Sequence, residues 1–452
     1  MEKENKLGTM PISKLIINMS LPIIISMLVQ ALYNIVDSVF VSRVCEQALT
    51  AVSLAFPAQN LMIGLATGTA VGVNALMGRA LGAKDQERAN AVAINGVFLA
   101  VVGFAICAVL ALLFAGPFFR SQTQIDYIVE NGTDYLLVCC CGSLGLFCEI
   151  MFERLLQGTG RSILSMYTQG LGAIVNIVLD PIFIFVLDMG VTGAAVATVI
   201  GQFCGCILAL IFNLKKNEEI HLQFRGFRPN WRLVGNIYAI GLPSVIMVAI
   251  GSVMTFCMNK ILIAYHSAKE TAATAFGIYF KLNSFIFMPV FGLNNGMVPI
   301  VSYNYGAASL PRVKRTIKLT ICTAMAIMAV GCLIFQLFPQ QLLMFFNASE
   351  EMLSIGSVAL RIISVSFVLA GFDIIAGSVC QAIGNPLYSL ITSVCRQLVV
   401  LLPVAWLLSH TGVLTLVWLA FPISELVSLV LSAIFLRRTM RAVAERIGSR
   451  AA

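Results

Sequence analysis

Long apolar runs follow one another along nearly the whole chain, separated by short polar connections. A run of ~20 residues is what an α-helix needs to cross the hydrocarbon core of a bilayer. Twelve such runs can be counted, at roughly 15–42, 50–77, 92–115, 126–153, 163–187, 191–214, 236–264, 272–303, 315–338, 355–382, 387–408 and 412–436. We therefore expect an all-α polytopic membrane protein with twelve transmembrane helices.

The distribution of basic residues tests this count independently. If both termini and the even-numbered connections lie on one side, that side holds 22 of the 29 lysines and arginines, and only Arg43, Arg120 and Lys269 lie on the other. Such a bias is the positive-inside signature. An odd number of helices would place the basic C-terminal tail on the other side of the membrane and weaken this bias. The pattern predicts a multi-pass protein of the cell membrane with both termini in the cytoplasm.

The two halves of the chain repeat. Ser20-Leu21-Pro22 corresponds to Gly241-Leu242-Pro243, and Gln157-x-x-Gly160 to Gln381-x-x-Gly384, at offsets of 221 and 224 residues. We expect a first six-helix bundle at 1–214, a cytoplasmic linker at 215–235, a second bundle at 236–438 and a basic tail at 439–452. Since six is an even number, both bundles have the same orientation, and the substrate route is expected between them.

Composition excludes most other classes of protein. With 59% apolar and 11% charged residues, the chain cannot build a water-facing surface. It has no G-x-x-x-x-G-K-[ST] phosphate loop for an ATP-driven pump. Its net charge of +8 lies in short loops without interleaved aromatic residues, so no nucleic acid partner is expected. Its 13 cysteines form no C-x-x-C pair and its three histidines are scattered. We expect a transporter rather than an enzyme, a monomer without an obligate protein partner. The expected partners are the lipid bilayer and small amphipathic molecules, with no cofactor and no metal other than a coupling Na⁺.

Polar side chains form stripes on three helices of the first bundle. Ionisable residues at membrane depth are costly and indicate function by default. Two close carboxylates do not both ionise readily, so a pair could exchange a proton near neutral pH. The same oxygens could instead hold Na⁺. The stripes, each at helical spacing, are Gln30, Asn34 and Asp37; Gln169, Asn176 and Asp180; and Thr198 and Gln202.

The second bundle does not duplicate this acidic pattern, since Asp180 maps onto the apolar segment Leu402-Pro403-Val404. It carries other charges at membrane depth, which we expect to form internal ion pairs or, alternatively, a second coupling site. Glu149 and Asp373 occupy equivalent places, 224 residues apart, and we hypothesise that both face a central cleft and attract cationic substrates. Flexible and aromatic side chains on the predicted cleft helices suit varied apolar ligands. The charged residues are Lys260, Lys281, Arg396, Asp373 and Glu425, and the apolar candidates include Met254, Phe280 and Met288.

In combination these motifs resemble the MATE family of multidrug and toxin extruders, and within it the DinF-like branch and the MepA-type bacterial exporters. The motifs are Asn34-x-x-Asp37, Asn176-x-x-x-Asp180-Pro181 and the segment Pro299-Ile300-Val301-Ser302-Tyr303-Asn304-Tyr305-Gly306-Ala307. The resemblance implies a V-shaped pair of six-helix bundles that exports drugs against H⁺ or Na⁺. It also implies a cation site formed by Asp37, Asn176, Asp180 and Thr198. The NorM-like branch adds a second site, but here Gly251-Ser252 stands near its glutamate position.

We therefore expect a secondary multidrug antiporter that exports amphipathic, cationic organic compounds in exchange for H⁺ or Na⁺. The main alternative is a flippase for lipid-linked oligosaccharides, whose pyrophosphate would require the cations Lys260, Lys281, Arg361 and Arg396 in the cleft. A channel would need a repeated filter segment or a charged ring, and none is visible. An intramembrane enzyme would need a catalytic constellation at a usable spacing, and we find none.

Overall fold

The computed structural model describes residues 5–265, 269–346 and 349–451, and no strand occurs within these ranges. In the first half of the chain the helices are α1 (Lys6–Thr9), α2 (Ile12–Ser42), α3 (Glu46–Gly82), α4 (Gln86–Gln122), α5 (Asp126–Cys141), α6 (Leu144–Gly158), α7 (Ser162–Pro181) and α8 (Gly190–Lys215). A π-helical segment, Ile182–Val186, continues α7.

In the second half of the chain, a π-helical segment, Cys395–Leu401, connects two α-helices into one continuous helix. The helices of this half are α9 (Trp231–Tyr265), α10 (Lys269–Gly306), α11 (Leu310–Leu337), α12 (Pro339–Met344), α13 (Glu350–Ser364), α14 (Phe367–Ile383), α15 (Pro386–Val394), α16 (Leu402–Ser409), α17 (Leu414–Val417) and α18 (Ala420–Ala451).

The predicted membrane-spanning runs all appear as helices. Within the described ranges, 10 helices are long and apolar enough to cross a membrane, and two bent helix pairs bring the number to 12. The pairs are α5 with α6, bent by 44°, and α13 with α14, bent by 49°. The prediction of an all-α multi-pass membrane protein is confirmed.

Both bent pairs break at a serine in the equivalent place of the two halves. The hydroxyl of Ser143 donates to the carbonyl oxygen of Cys140 at 2.7 Å, and that of Ser366 to the carbonyl oxygen of Ile363 at 2.6 Å. A serine that bonds back to the preceding turn competes with the helical hydrogen bonds and bends the helix. The sequence repeat is therefore also a structural repeat.

A second pair of equivalent hydrogen bonds follows these breaks. Gln157 Nε2 donates to Ser165 Oγ at 2.9 Å in the first half. Gln381 Nε2 donates to Ser389 Oγ at 2.7 Å in the second, 224 residues further on. Each bond joins the end of a bent helix pair to the beginning of the next membrane helix. The glutamine of the Gln-x-x-Gly motif thus makes an equivalent hydrogen bond between two helices in both halves.

The described chain forms two compact units, one of which contains Ile17–Val245 and the other Ile246–Ala452 together with Ile12–Ile16. The first fifteen residues of α9 therefore pack with the first unit, and the division lies inside a helix rather than in the predicted linker at 215–235. The cause is a close contact with α3. A Cβ atom on Gly72 would collide with the carbonyl oxygen of Ile237. Small residues permit this approach of two membrane helices.

The linker after α8 is held on the first unit by hydrogen bonds to α4. The side chain of Gln86 donates to the carbonyl oxygen of Glu219, and Asn90 Oδ1 accepts from the backbone N–H of His221 at 2.8 Å. Close by, Arg161 before α7 lies 3.8 Å from Glu218. The ends of α4, α6, α7 and α8 that meet this linker define what we call the linker end of the first unit.

Candidate functional site

Asn176 is the centre of a polar cluster between α7 and α8. Its Nδ2 donates to Asp180 Oδ1 at 3.3 Å and to Thr198 Oγ1 at 3.2 Å. Asn176 and Asp180 are four residues apart and so share one face of α7. Both are buried, Asp180 completely. The helices approach closely here because Gly172 and Gly201 face each other: a Cβ on either would meet the backbone of the other.

Asp37 reaches the same region from α2. It lines a cavity of about 190 Å³ together with Asn34, Thr198 and Gln202. Thr198, which lines this cavity, is also the hydrogen-bond partner of Asn176, which in turn donates to Asp180. The structure therefore brings Asp37, Asn176, Asp180 and Thr198 to one place in the first unit.

The remaining stripe residues join the same helices. Gln169 Nε2 of α7 donates to Gln30 Oε1 of α2 at 3.3 Å. Gln202 of α8 lines both the cavity at Asp37 and a second cavity, of about 80 Å³, at Asn176. The polar stripes read from the sequence thus face one another, because α2, α7 and α8 surround a common polar space.

Three oxygen atoms of this cluster are buried without a hydrogen-bond partner in the described chain: Asp37 Oδ1, Asn176 Oδ1 and Asp180 Oδ2. A buried oxygen without a donor costs about 1–3 kcal/mol. A proton or a hard cation would satisfy such atoms, since both bind oxygen. Cavities of about 80 and 190 Å³ can hold an ion or a few water molecules. They are smaller than the roughly 300–1,000 Å³ of pockets for drug-sized ligands.

Sequence reasoning missed one acid of this region, Glu153. It lies one turn after Glu149 on α6, and both line the 80 Å³ cavity with Asn176 and Tyr33. Thr168 Oγ1 of α7 lies 2.8 Å from Glu153 Oε1. The spacing of four residues between two glutamates in an apolar run was the available signal.

Glu149 lies inside the first unit, against α8. A Cβ on Gly205 would overlap a carboxylate oxygen of Glu149. Its equivalent, Asp373 of α14, is buried in the second unit beside Ser428 and Ser432 of α18. Neither carboxylate oxygen of Asp373 has a hydrogen-bond partner in the described chain. That the two acids attract substrate in a cleft stays a prediction.

Of the charged residues expected to form internal ion pairs in the second unit, only two do so in the described chain. Arg396 Nη1 donates to Glu425 Oε1 at 3.0 Å. Lys260 and Lys281 are exposed and form no salt bridge within the described ranges, so the expectation is wrong for them. Lys260 Nζ instead lies 5.7 Å from the ring centre of Phe256. The reason is position: both lysines lie on exposed faces of α9 and α10.

The three apolar substrate candidates differ in their surroundings. Met254 is buried in α9, and Met288 of α10 is half-buried. Phe280 packs edge-on against Phe276, with ring centres 5.1 Å apart, and against Tyr279 at 5.7 Å. Phe280 therefore belongs to an aromatic cluster that stabilises the second unit.

A repeated six-helix arrangement, with an oxygen-lined site buried in its first copy, defines a multi-pass membrane transporter. The particular family follows from comparison with known proteins. The family model described as MatE matches residues 22–182 and again residues 243–407, once in each repeat. The chain belongs to the MATE family, as its motifs indicated.

Relatives of known name match nearly the whole chain. The multidrug export protein MepA of Staphylococcus haemolyticus is 26% identical over 90% of this chain and 89% of its own length. The FAD transporter of Shewanella oneidensis is 25% identical over 94% of each chain. The solved outward-facing structure of a multidrug resistance MATE family transporter of the MOP superfamily superposes with a TM-score of 0.92, at 27% identity, over 98% of this chain and 99% of that one. Relatives at similar identity thus have names that differ in cargo.

Proposed function

We propose that this protein is a multidrug efflux antiporter of the cell membrane, with both termini in the cytoplasm. It exports amphipathic organic cations by alternating access, in exchange for H⁺ or Na⁺. The observation that carries this proposal is the cluster of Asp37, Asn176, Asp180 and Thr198, with three buried oxygen atoms that lack a partner in the described chain. Membership of a transporter family with multidrug exporters among its members supports it.

The coupling step is the neutralisation of two interacting carboxylates. When the site is open to the outside, Asp37 and Asp180 take up H⁺ or Na⁺. This removes their mutual repulsion and changes the packing of α2, which contains Pro22 and can bend there. The cargo is then released. The ion drives this change only because it binds the two states of the transporter with different affinities.

The charge of the first unit favours a cationic cargo. The acids at the polar site between α2, α6, α7 and α8 are Asp37, Glu149, Glu153 and Asp180, all of which are buried or half-buried. The half-buried bases of this unit lie nearer the helix ends and the loops, and they are Lys6, Arg79, Arg154 and Arg161. Of the four cations of the second half that a flippase would need, Arg396 is paired with Glu425 and is not free to bind an anion, whereas Lys260, Lys281 and Arg361 are exposed. A pyrophosphate-bearing lipid, which needs clustered cations, therefore fits less well than an organic cation. Because the named relatives are described with different cargoes, the preference for a cationic cargo is inferred from the side chains of this chain alone.

The test is Asp37→Asn, expressed in a host that lacks its own multidrug pumps. Its drug susceptibility is compared with that of the unsubstituted protein, and vesicles are then assayed with either a proton or a sodium gradient. We expect loss of export of cationic dyes at unchanged expression, because the amide that replaces the carboxylate cannot take up a proton. Asp126→Asn, on an exposed position of α5, is the matched control. Retained resistance in Asp37→Asn would contradict the mechanism, and export of lipid-linked oligosaccharide alone would favour the flippase.

A further inference from the structure

A line of polar side chains continues from Asn176 to the linker end of the first unit, along the contact between α6 and α7. On α6, Glu149, Glu153 and Gln157 are each four residues apart and so lie on one face. On α7, Ser165, Thr168 and Asn176 face them. Because α7 begins at the linker end, Ser165 lies nearest to it and Asn176 furthest away.

The hydroxyl of Thr168 shows which protonation state of Glu153 fits this geometry. Thr168 Oγ1 lies 2.8 Å from Glu153 Oε1 and 2.7 Å from the carbonyl oxygen of Ser165. A hydroxyl has one hydrogen to donate, and a carbonyl oxygen can only accept. If Glu153 is ionised, Thr168 must share its one hydrogen between the two oxygens in a three-centre bond, whereas a protonated Glu153 that donates to Thr168 allows both contacts to be full hydrogen bonds. The arrangement therefore fits a protonated Glu153.

Glu149 is the next acid along this line. It is nine-tenths buried, makes no hydrogen bond in the described chain, and lines the same cavity as Glu153. The wall of that cavity also includes Asn176, whose Oδ1 is buried and lacks a partner there. At about 80 Å³ the cavity has room for a few water molecules between these groups. A proton can thus pass between the two carboxyl groups through water.

Beyond Glu153, polar side chains line the last turn of α6. Arg154 Nη1 donates to Gln157 Oε1 at 3.1 Å, and Gln157 Nε2 donates to Ser165 Oγ at 2.9 Å. Arg154 is half-buried, and its guanidinium forms no salt bridge with Glu153 in the described chain. The two charges still interact, but no direct ion pair holds the carboxyl group of Glu153 in its ionised form.

Other titratable groups surround the two glutamates. The residue of α3 that lines the cavity is Ile63, whose apolar side chain does not titrate. α4 packs with Gly96 against Met151, a different residue of α6. The titratable groups are Tyr33 of α2; Cys204 and Cys206 of α8; Cys148 and Arg154 of α6 itself; and, further along α2 and α7, Asp37 and Asp180. Apart from the acids, Arg154 is the one charged member of this set.

We propose that Glu149 and Glu153 form a second proton-binding site, which passes protons between the Asp37–Asp180 pair and the linker end of the first unit. Each step moves one H⁺ from a carboxylic acid to a carboxylate, directly or through water, and needs no other reactant. The inference rests on the proposed antiport, with H⁺ as the coupling ion. It gives the proton a way out on the side opposite to the one from which it enters.

Glu153→Gln tests this proposal well, because the amide of glutamine can donate to Thr168 as the protonated acid does. The variant should fold and keep its contacts but cannot release a proton. In proteoliposomes we expect proton-driven export of a cationic dye to fall by roughly 100-fold or more, in line with the contribution of a positioned proton-transfer group. Dye–dye exchange, which needs no net proton release, and dye binding should stay within about twofold of the unsubstituted protein, a change smaller than any proton-transfer contribution. Glu87→Gln, on an exposed position of α4, is the matched control.

The possible results distinguish the proposed relay from the proposed antiport. Unchanged proton-driven export and an unchanged dependence on the pH at the linker end, in both Glu153→Gln and Glu149→Gln, would overturn the proposal. So would a parallel loss of export, exchange and dye binding, which would assign the acids to cargo binding or to packing. If Asp37→Asn abolishes export while the glutamate variants are normal, only the relay is wrong. If the unsubstituted protein shows neither proton- nor sodium-driven export, the proposed antiport fails and the relay with it.

Discussion

The pair of Arg396 and Glu425 offers a test of whether the charges of the second unit are structural or take part in coupling. The two side chains lie 3.0 Å apart and are 25% and 13% exposed. Removing one partner of a buried pair leaves a charge without compensation and costs about 3–5 kcal/mol. Replacing both partners by apolar residues of similar volume is often neutral. The single and double substitutions should therefore differ sharply.

The size of each effect follows from the neighbouring acid. Asp373 also interacts with the charge of Arg396. Arg396→Met therefore leaves two acids without a base and should be the more destabilising change, near the upper end of this range. Glu425→Gln leaves Asp373 as a partner of Arg396 and should cost less. The double variant Arg396→Met/Glu425→Met should recover most of the loss.

The assay combines the apparent melting temperature in lipid nanodiscs with dye export from proteoliposomes. If the pair is structural, the double variant should melt near the unsubstituted protein and export at a similar rate. A double variant that is stable but no longer exports would refute this reasoning and assign the pair to coupling. Equal destabilisation by all three variants would show that the pair contributes no electrostatic energy beyond its packing.

Two further predictions concern packing and the cation site. Asn176→Leu removes the donor to Asp180 and Thr198 and leaves Asp180 Oδ1 buried without a partner, which costs about 1–3 kcal/mol. We expect a moderate fall in melting temperature together with loss of ion-driven export from the folded protein, and an export rate equal to that of the unsubstituted protein would contradict the role of this site. Gly72→Val should collide with the backbone of Ile237 and lower the melting temperature, whereas Gly116→Val, where no atom lies within 4 Å, should leave it unchanged; equal melting of both variants would disprove the close contact of α3 with α9.

Much of the fold could be predicted because lipid restricts what the chain can do. A backbone in hydrocarbon must satisfy its hydrogen bonds internally, so each long apolar run becomes a helix. The two bent pairs and both π-helical segments were not predicted. These features depend on side chains that compete with the backbone for hydrogen bonds, as Ser143 does when it donates to the carbonyl oxygen of Cys140. A hydropathy pattern does not detect such competition.

The candidate site was only partly predictable for a different reason. Helical spacing alone places Asn176 and Asp180 on one face, but Thr198 reaches them because glycines let α7 and α8 approach. Glu153 was missed because its importance depends on the single hydrogen of Thr168, on another helix. Likewise, only the contacts show that Lys260 and Lys281 are exposed while Arg396 is paired.

The sequence by itself therefore determined the membrane environment, the number of membrane spans, the repeat and the faces that carry polar groups, since these follow from composition and periodicity along the chain. The tertiary structure alone decided which faces meet, which oxygens remain without a donor and where the first unit ends along α9. Those properties depend on distances between segments far apart in the chain, and periodicity within one helix contains no information about them.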